Sequence, residues 1–338
     1  MINFAYTRAA DVHDAVRLIA REPGAKFIAG GTNLVDLMKE DVERPSKLID
    51  ISRLPLDKIE ETPDGGLRIG ALVPNSDLAY HPLVEQRYPL LASAILAGAS
   101  QQLRNMATTG GNLLQRTRCL YFYDTATPCN KRDAGSGCSA IHGLNRMHAI
   151  LGTSETCIAT HPSDMCVALA ALDARVRVMG PAGERLIDFT EFHRLPLATP
   201  QQDTNLDPGE LVTAVELPAR GFRTHYSYLK IRDRLSYAFA LVSVAAALDL
   251  DGGRIKEARL ALGGVAHKPW RDTAAEALLR DQVARPAAFE GVAETLLRDA
   301  KGFGHNGFKI DLARRAIVRA LTQAARATPQ SQSDKRIK

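Results

Sequence analysis

All five cysteines of this 338-residue chain, Cys119, Cys129, Cys138, Cys157 and Cys166, fall within 48 residues. The segment that carries most of them, 116–156, lacks the apolar period of either a helix or a strand. So long an irregular stretch is uncommon in a compact protein unless something other than an apolar face organises it. The spacing C-x9-C-x8-C-x18-C-x8-C lacks the C-x2-4-C knuckle usual in zinc sites. A disulfide framework fits worse, because the number is odd, the chain is large and Met1 to Arg8 shows no secretory leader. An iron–sulfur cluster fits best, since four thiolates can reach one cluster from widely spaced loop positions. Cys166 lies in Ser163-Asp164-Met165-Cys166-Val167-Ala168-Leu169, a helix pattern in which a small buried thiol is the usual outcome. Cys119, Cys129, Cys138 and Cys157 are therefore the expected ligands. Charge points the same way: residues 101–150 hold Arg104, Arg116, Arg118, Lys131, Arg132 and Arg146 against Asp124 and Asp133, which is +4 of the chain's +5. Arg118, Lys131 and Arg132 are the bases expected to stabilise a negative cluster.

The rest of the chain reads as ordinary globular protein, 45% apolar and 24% charged, and too long for one core. Its most apolar run, Ala238 to Leu248, is too short to span a bilayer, so no membrane span is expected. Alternation at Ile2, Phe4 and Tyr6 predicts a strand, and Asp11 caps a helix through Ile19. Strands are predicted at 26–29, 48–51, 67–71 and 175–179, with helices at 34–39, 90–99 and from Ser163 through Leu172. Pro218 to Arg223 marks the main boundary. Beyond it, Asp251-Gly252-Gly253 predicts a hairpin, followed by helices near 272–281, 287–299 and 310–326. The expected organisation is α+β, with residues 1–220 and 221–327 as two domains and 328–338 as a flexible tail.

Gly30-Gly31-Thr32-Asn33, between a strand and a helix, presents free N–H groups at a positive helix end, as a pyrophosphate requires. Thr108-Thr109-Gly110-Gly111-Asn112 repeats that composition. The nearest Rossmann-like match, at Gly135 to Ala140, does not follow a strand, and no P-loop or H-E-x-x-H motif occurs. Asp164 is suited either to a sugar hydroxyl or to the positive end of its helix. His142, His148 and His161 flank the cysteines and receive no role.

Together, Ile28-Ala29-Gly30-Gly31-Thr32-Asn33-Leu34, Thr109-Gly110-Gly111-Asn112-Leu113, Pro162-Ser163-Asp164 and Ala261-Leu262-Gly263-Gly264-Val265 resemble the FAD-binding subunits of molybdenum hydroxylases of the xanthine dehydrogenase and carbon monoxide dehydrogenase type. The resemblance spans nearly the whole chain. It is nearest to the flavin subunit of bacterial periplasmic aldehyde oxidoreductases, through Gln115-Arg116-Thr117-Arg118-Cys119, Tyr121-Phe122-Tyr123-Asp124, Pro128-Cys129-Asn130-Lys131-Arg132, Gly135-Ser136-Gly137-Cys138 and Ile231-Arg232-Asp233-Arg234. Most family members lack this cysteine-bearing insertion, at about 116–157.

The resemblance implies a two-subdomain FAD domain of the vanillyl-alcohol-oxidase (PCMH) type and a smaller C-terminal α+β domain. It implies FAD phosphates on Lys26, Phe27, Ile28, Ala29, Gly30, Gly31, Thr32, Asn33 and Leu34 and on Thr108, Thr109, Gly110, Gly111 and Asn112. It places Asp164 on the sugar portion and Lys230 near the flavin. A 4Fe-4S cluster on the four loop cysteines is implied likewise, with Cys166 outside it. The implied role is electron transfer in a heterotrimer: a molybdenum-cofactor large subunit oxidises the aldehyde, a 2Fe-2S small subunit relays electrons, and FAD passes them to an external acceptor. No acid or base of this chain takes part in catalysis. Residence is expected in the periplasm by co-export with a signal-bearing partner, otherwise in the cytoplasm. The rival expectation is a redox-inactive binding protein whose long loop is held by zinc and whose basic segment docks RNA. The family reading expects no nucleic acid.

Overall fold

The computed structural model describes residues 1–332. Its first sheet is parallel: β1 (Ala5–Arg8), β2 (Ala25–Ile28) and β3 (Lys47–Asp50), in the order β1-β3-β2. The helix Val12–Arg21 crosses from β1 to β2, capped as expected by Asp11, which accepts from the Asp14 N–H at 2.7 Å. The alternation at Ile2, Phe4 and Tyr6 proves misleading. β1 begins only at Ala5, and all three side chains are exposed, because this edge strand pairs only with β3.

The second sheet is antiparallel: β4 (Ile59–Glu61), β5 (Leu67–Gly70), β6 (Arg175–Gly180), β7 (Gly183–Asp188) and β8 (Leu211–Leu217), in the order β4-β5-β8-β6-β7. All seven residues of the central strand β8 are buried. The apolar helices Pro89–Ala97 and Asp164–Ala171 share its core.

The third sheet, β9 (Tyr226–Ile231), β10 (Val242–Asp251), β11 (Arg254–Gly263) and β12 (Trp270–Arg271), is an antiparallel meander. The predicted hairpin is there, and Gly252 and Gly253 turn it with φ of 54° and 83°, a conformation that favours glycine. Alternation along β10 serves two cores: Ala245 and Ala247 join the one containing Asp164–Ala171, while Val244, Ala246 and Leu248 join the helices Pro286–Leu296 and Phe308–Ala325. The small residues let the first helix come close. A Cβ on Gly263 would stand 2.5 Å from Val167 Cγ2. The architecture is α+β, as the sequence indicates.

Two expectations are revised. Segment 116–156 contains two single-turn helices, Leu120–Tyr123 and Ser139–His142, each starting directly after a cysteine. In the polar tail, Gln330 Oε1 accepts from the Lys230 N–H at 3.0 Å and Gln332 donates to the Tyr228 carbonyl, so residues up to 332 lie against β9 rather than free. The remainder of that predicted tail, 333–338, lies outside the described residues.

Arg271 joins the layers. Its guanidinium, 2% exposed, contacts both Glu276 oxygens at 2.8 and 3.0 Å and donates to the Ala170 carbonyl at 2.7 Å, while Glu276 accepts from the Leu260 N–H at 2.7 Å. Removing one partner of a buried pair leaves an uncompensated charge, so Arg271→Met is expected to lose roughly 3–5 kcal/mol of unfolding free energy in urea. A loss below about 1 kcal/mol, the range of exposed pairs, would contradict this account.

Candidate functional site

The first glycine loop turns from β2 into the helix Leu34–Lys39. A Cβ on Gly30 would stand 1.8 Å from the Met106 carbonyl oxygen, and Gly31 has φ 72°, so both positions need glycine. The N–H groups of Gly30 to Asn33 have no partner among the described residues. Asn33 does not cap its helix as its position suggests. Its Oδ1 instead accepts from the Arg116 N–H at 2.9 Å, and its Nδ2 is buried without a partner.

The second loop behaves differently from its look-alike. The N–H groups of Thr109 and Gly110 bond to the Val73 and Ala71 carbonyls, and those of Gly111 and Asn112 to the hydroxyl and carbonyl of Thr108. It therefore offers close backbone approach, with these four amides already used. Thr109 is buried behind the loop, with its hydroxyl on the Val73 carbonyl.

Two cavities open on these loops. One, of ≈ 390 Å³, runs from Lys26 to Leu34 and across Thr108, Gly110 and Gly111. The other, of ≈ 730 Å³, reaches Asn112, Asp164 and Lys230. Gly31, Thr32, Asn33 and Gly111 line both, so the two form one continuous cleft. Of the residues predicted to hold FAD, only Thr109 lies off it. The unpartnered amides, the orphaned Asn33 Nδ2 and the elongated cleft fit a dinucleotide. Asp164 and Lys230, both buried, form an ion pair at 2.8 Å. Lys230 Nζ also donates to the Ala97 carbonyl, and Tyr228 donates its hydroxyl to Asp164 Oδ1 at 2.7 Å.

Cys119, Cys129, Cys138 and Cys157 line a single small cavity, and Cys129 and Cys138 pair directly through their backbones. The nearness of Cys138 and Cys157 favours ionisation of Cys138 and disfavours that of Cys157, and burial pushes Cys119 up to about 12. Four cysteines on irregular backbone lining one cavity fit a cluster held by four thiolates. Cys166 lies elsewhere, fully buried in its helix, and its sulfur and one nitrogen each of His161 and His193 lie within 4.8 Å of one another.

The bases bond to oxygen partners rather than to the sulfurs, although Lys131 lines the sulfur cavity and its charge favours an ionised Cys157. Arg118 binds Asp36 at 2.9 Å, Lys131 binds Asp203 at 2.5 Å and the Pro200 carbonyl at 2.7 Å, and Arg132 donates to the carbonyls of Tyr121, Phe122 and Thr127. They fold the segment and lock it to acids far away in sequence, because a buried cation needs a close oxygen partner. Two histidines touch the sulfurs, His148, which flanks the cysteines in sequence without a motif to give it a role, and His267, which the sequence does not single out: His148 Nε2 lies 3.1 Å from Cys119 Sγ, and His267 Nε2 lies 3.3 Å from Cys157 Sγ. A third cavity, of ≈ 160 Å³, lies between the two sites, lined by Cys119 and His148 at one end and Ser163 and Asp164 at the other.

Residues 2–220 match the family model described as the FAD binding domain in molybdopterin dehydrogenase, and residues 226–324 match the CO dehydrogenase flavoprotein C-terminal domain. The chain is 54% identical over 322 residues to the aldehyde oxidoreductase FAD-binding subunit PaoB of Escherichia coli strain K12, covering 95% of this chain and 98% of that one. It is 30% identical to the glyceraldehyde dehydrogenase medium chain of Sulfolobus acidocaldarius over 79% of this chain and 78% of the relative. Its fold superimposes on a chain of the carbon monoxide dehydrogenase from Hydrogenophaga pseudoflava with a TM-score of 0.76 and 26% identity, covering 97% and 99% of the two chains. The chain thus belongs to the FAD-binding subunits of the molybdenum hydroxylases.

Proposed function

We propose that this chain is the electron-transferring flavin subunit of a molybdenum-dependent aldehyde oxidoreductase, that it works with a molybdenum-cofactor large subunit and a 2Fe-2S small subunit, and that it holds a 4Fe-4S cluster beside its FAD. The observation that carries the reading is that four cysteines line one cavity, and that a further cavity with Cys119 and Asp164 in its walls lies between it and the dinucleotide cleft. The 54% identity to an aldehyde oxidoreductase subunit supports the substrate class. When bound, FAD supplies two-electron capacity that can be exchanged singly, and a cluster supplies one-electron capacity.

The chain's own residues bind and orient. Gly30 to Asn33 offer their free amides to the phosphates, and Gly111 and Asn112 close the other side of the cleft. Asp164 keeps lone pairs for a sugar hydroxyl beyond its bonds to Lys230 and Tyr228, and Lys230 fixes that carboxylate in place. Cys119, Cys129, Cys138 and Cys157 supply the four thiolates. The pairing of Arg118, Lys131 and Arg132 inside the fold removes the free basic surface that RNA binding would use. The two-domain division near residue 220 and periplasmic residence by co-export complete the proposal; fractionation that finds the holoenzyme in the cytoplasm would overturn the latter.

The purified holoprotein is expected to contain one FAD and about four irons per chain, and zinc in place of iron would overturn the cluster. Gly30→Ala forces a methyl group into the Met106 carbonyl and is expected to lower bound FAD at least tenfold, read from flavin absorbance per chain. Cys129→Ser is expected to abolish the reduced-cluster paramagnetic signal while FAD remains bound; an unchanged iron content would refute the ligand assignment.

A further inference from the structure

We propose that His148 and His267 are positioning residues of the sulfur site, each donating an Nε2–H bond to a cluster thiolate, Cys119 and Cys157 respectively, and thereby raising the cluster's reduction potential. This rests on the 4Fe-4S reading above. Both rings are buried, and in each the only hydrogen-bond partner among the described residues is the sulfur: Nε2 lies at 3.1 Å for His148 and 3.3 Å for His267, while both Nδ1 atoms are buried without a partner. A neutral imidazole has one ring proton to place. On Nδ1 it would be a buried donor without a partner at full hydrogen-bond geometry, beside only the Asn145 backbone in the case of His148, and the Nε2 lone pair would face an anionic sulfur. On Nε2 it makes an N–H to thiolate bond. The tautomer therefore follows from the surroundings once the thiol is ionised.

The rings stand beside a ligand set that is already complete, because four cysteines satisfy a 4Fe-4S cluster. Reduction adds negative charge to an anionic group, and donor dipoles aimed at the sulfurs favour the reduced form. The three nearby bases, occupied by Asp36, Asp203 and backbone carbonyls, do not make these contacts. Two neutral rings make them instead.

One buried lysine ties both arms together. Lys309 is fully buried and donates to the His148 carbonyl at 2.8 Å and to the Gly264 carbonyl at 2.5 Å, three residues before His267. Asn306, also on the C-terminal side, donates to the His148 and Ala149 carbonyls. The Ile150 and Leu151 N–H groups bond to the Val265 carbonyl, and the His161 N–H to that of Ala266. The cysteine segment is therefore docked on the turn that supplies His267, and the second half of the chain contributes a donor to a site whose ligands all lie in the first.

The test is a redox titration of the holoprotein followed by electron paramagnetic resonance, with iron and FAD counted in parallel. His148→Phe and His267→Phe remove the donor while keeping a ring. Each is expected to retain four irons and to shift the reduction equilibrium at least tenfold toward the oxidised cluster, about 59 mV to lower potential for one electron. His148→Gln, which restores an N–H donor, is expected to recover part of the shift. Retained iron with an unmoved potential would overturn the proposal. Loss of iron equal to that of Cys129→Ser would also overturn it, by making the ring a ligand. In the unmodified protein, pulsed resonance with 15N-histidine should show weak coupling from two imidazole nitrogens. Strong ligand-type coupling, or none, overturns the donor role whether or not the variants fold. A wild-type chain without iron refutes the cluster reading itself, a separate result.

Discussion

The ion pair between Asp164 and Lys230 is the contact on which the cleft depends. A carboxylate and an ammonium, both nearly withdrawn from water, are stable only because each finds further partners: Tyr228 for the carboxylate, the Ala97 carbonyl for the ammonium. Asp164 opens a helix of the first half of the chain and Lys230 sits on a strand of the second. Their pairing holds the two halves in one orientation, and the wall of the dinucleotide cleft runs across it. Arg271 repeats the device at the other end of the same helix, joining the Ala170 carbonyl to Glu276. Both contacts are buried polar interactions that are strongly destabilised if one member is lost.

The cysteine segment achieves order without a hydrophobic period of its own. Asn130 Oδ1 accepts from the N–H groups of Gly135 and Gly137, Ser136 accepts from that of Cys129, and Tyr121 accepts from that of Leu144. Side chains here take the part that a ladder of backbone bonds takes in a strand. Acids from outside, Asp36, Glu43 and Asp203, then bind the arginines and the lysine and anchor the folded loop to the cleft. The polarity that looks like disorder in one dimension is a dense hydrogen-bonded network in three.

Much of this could be read before any coordinates. Asp11, Ser163 and the Gly252-Gly253 turn act as their local chemistry requires, because a cap or a tight turn depends on atoms within a few residues. That Cys119, Cys129, Cys138 and Cys157 share one cavity was legible from their clustering, and the burial of Cys166 in its helix from that helix's pattern. The two glycine loops mark the limit of such reasoning. They share a composition, yet one leaves its amides open and the other spends them on Val73, Ala71 and Thr108. Composition sets what a loop is able to do, and its neighbours determine which groups remain free.

The sequence by itself determined many of the elements and marked the loops suited to a nucleotide, since those follow from local periodicity, conformational need and donor chemistry, and its motifs carried the resemblance to the family. Only the tertiary structure decided who partners whom. Arg118, Lys131 and Arg132 also serve as braces, held by Asp36, Asp203 and backbone carbonyls, and His148 and His267, without any motif, came to the sulfurs. The physical reason is range: a buried charge or ring nitrogen is satisfied by whatever the fold brings to about 3 Å, and chain separation carries no information about that distance.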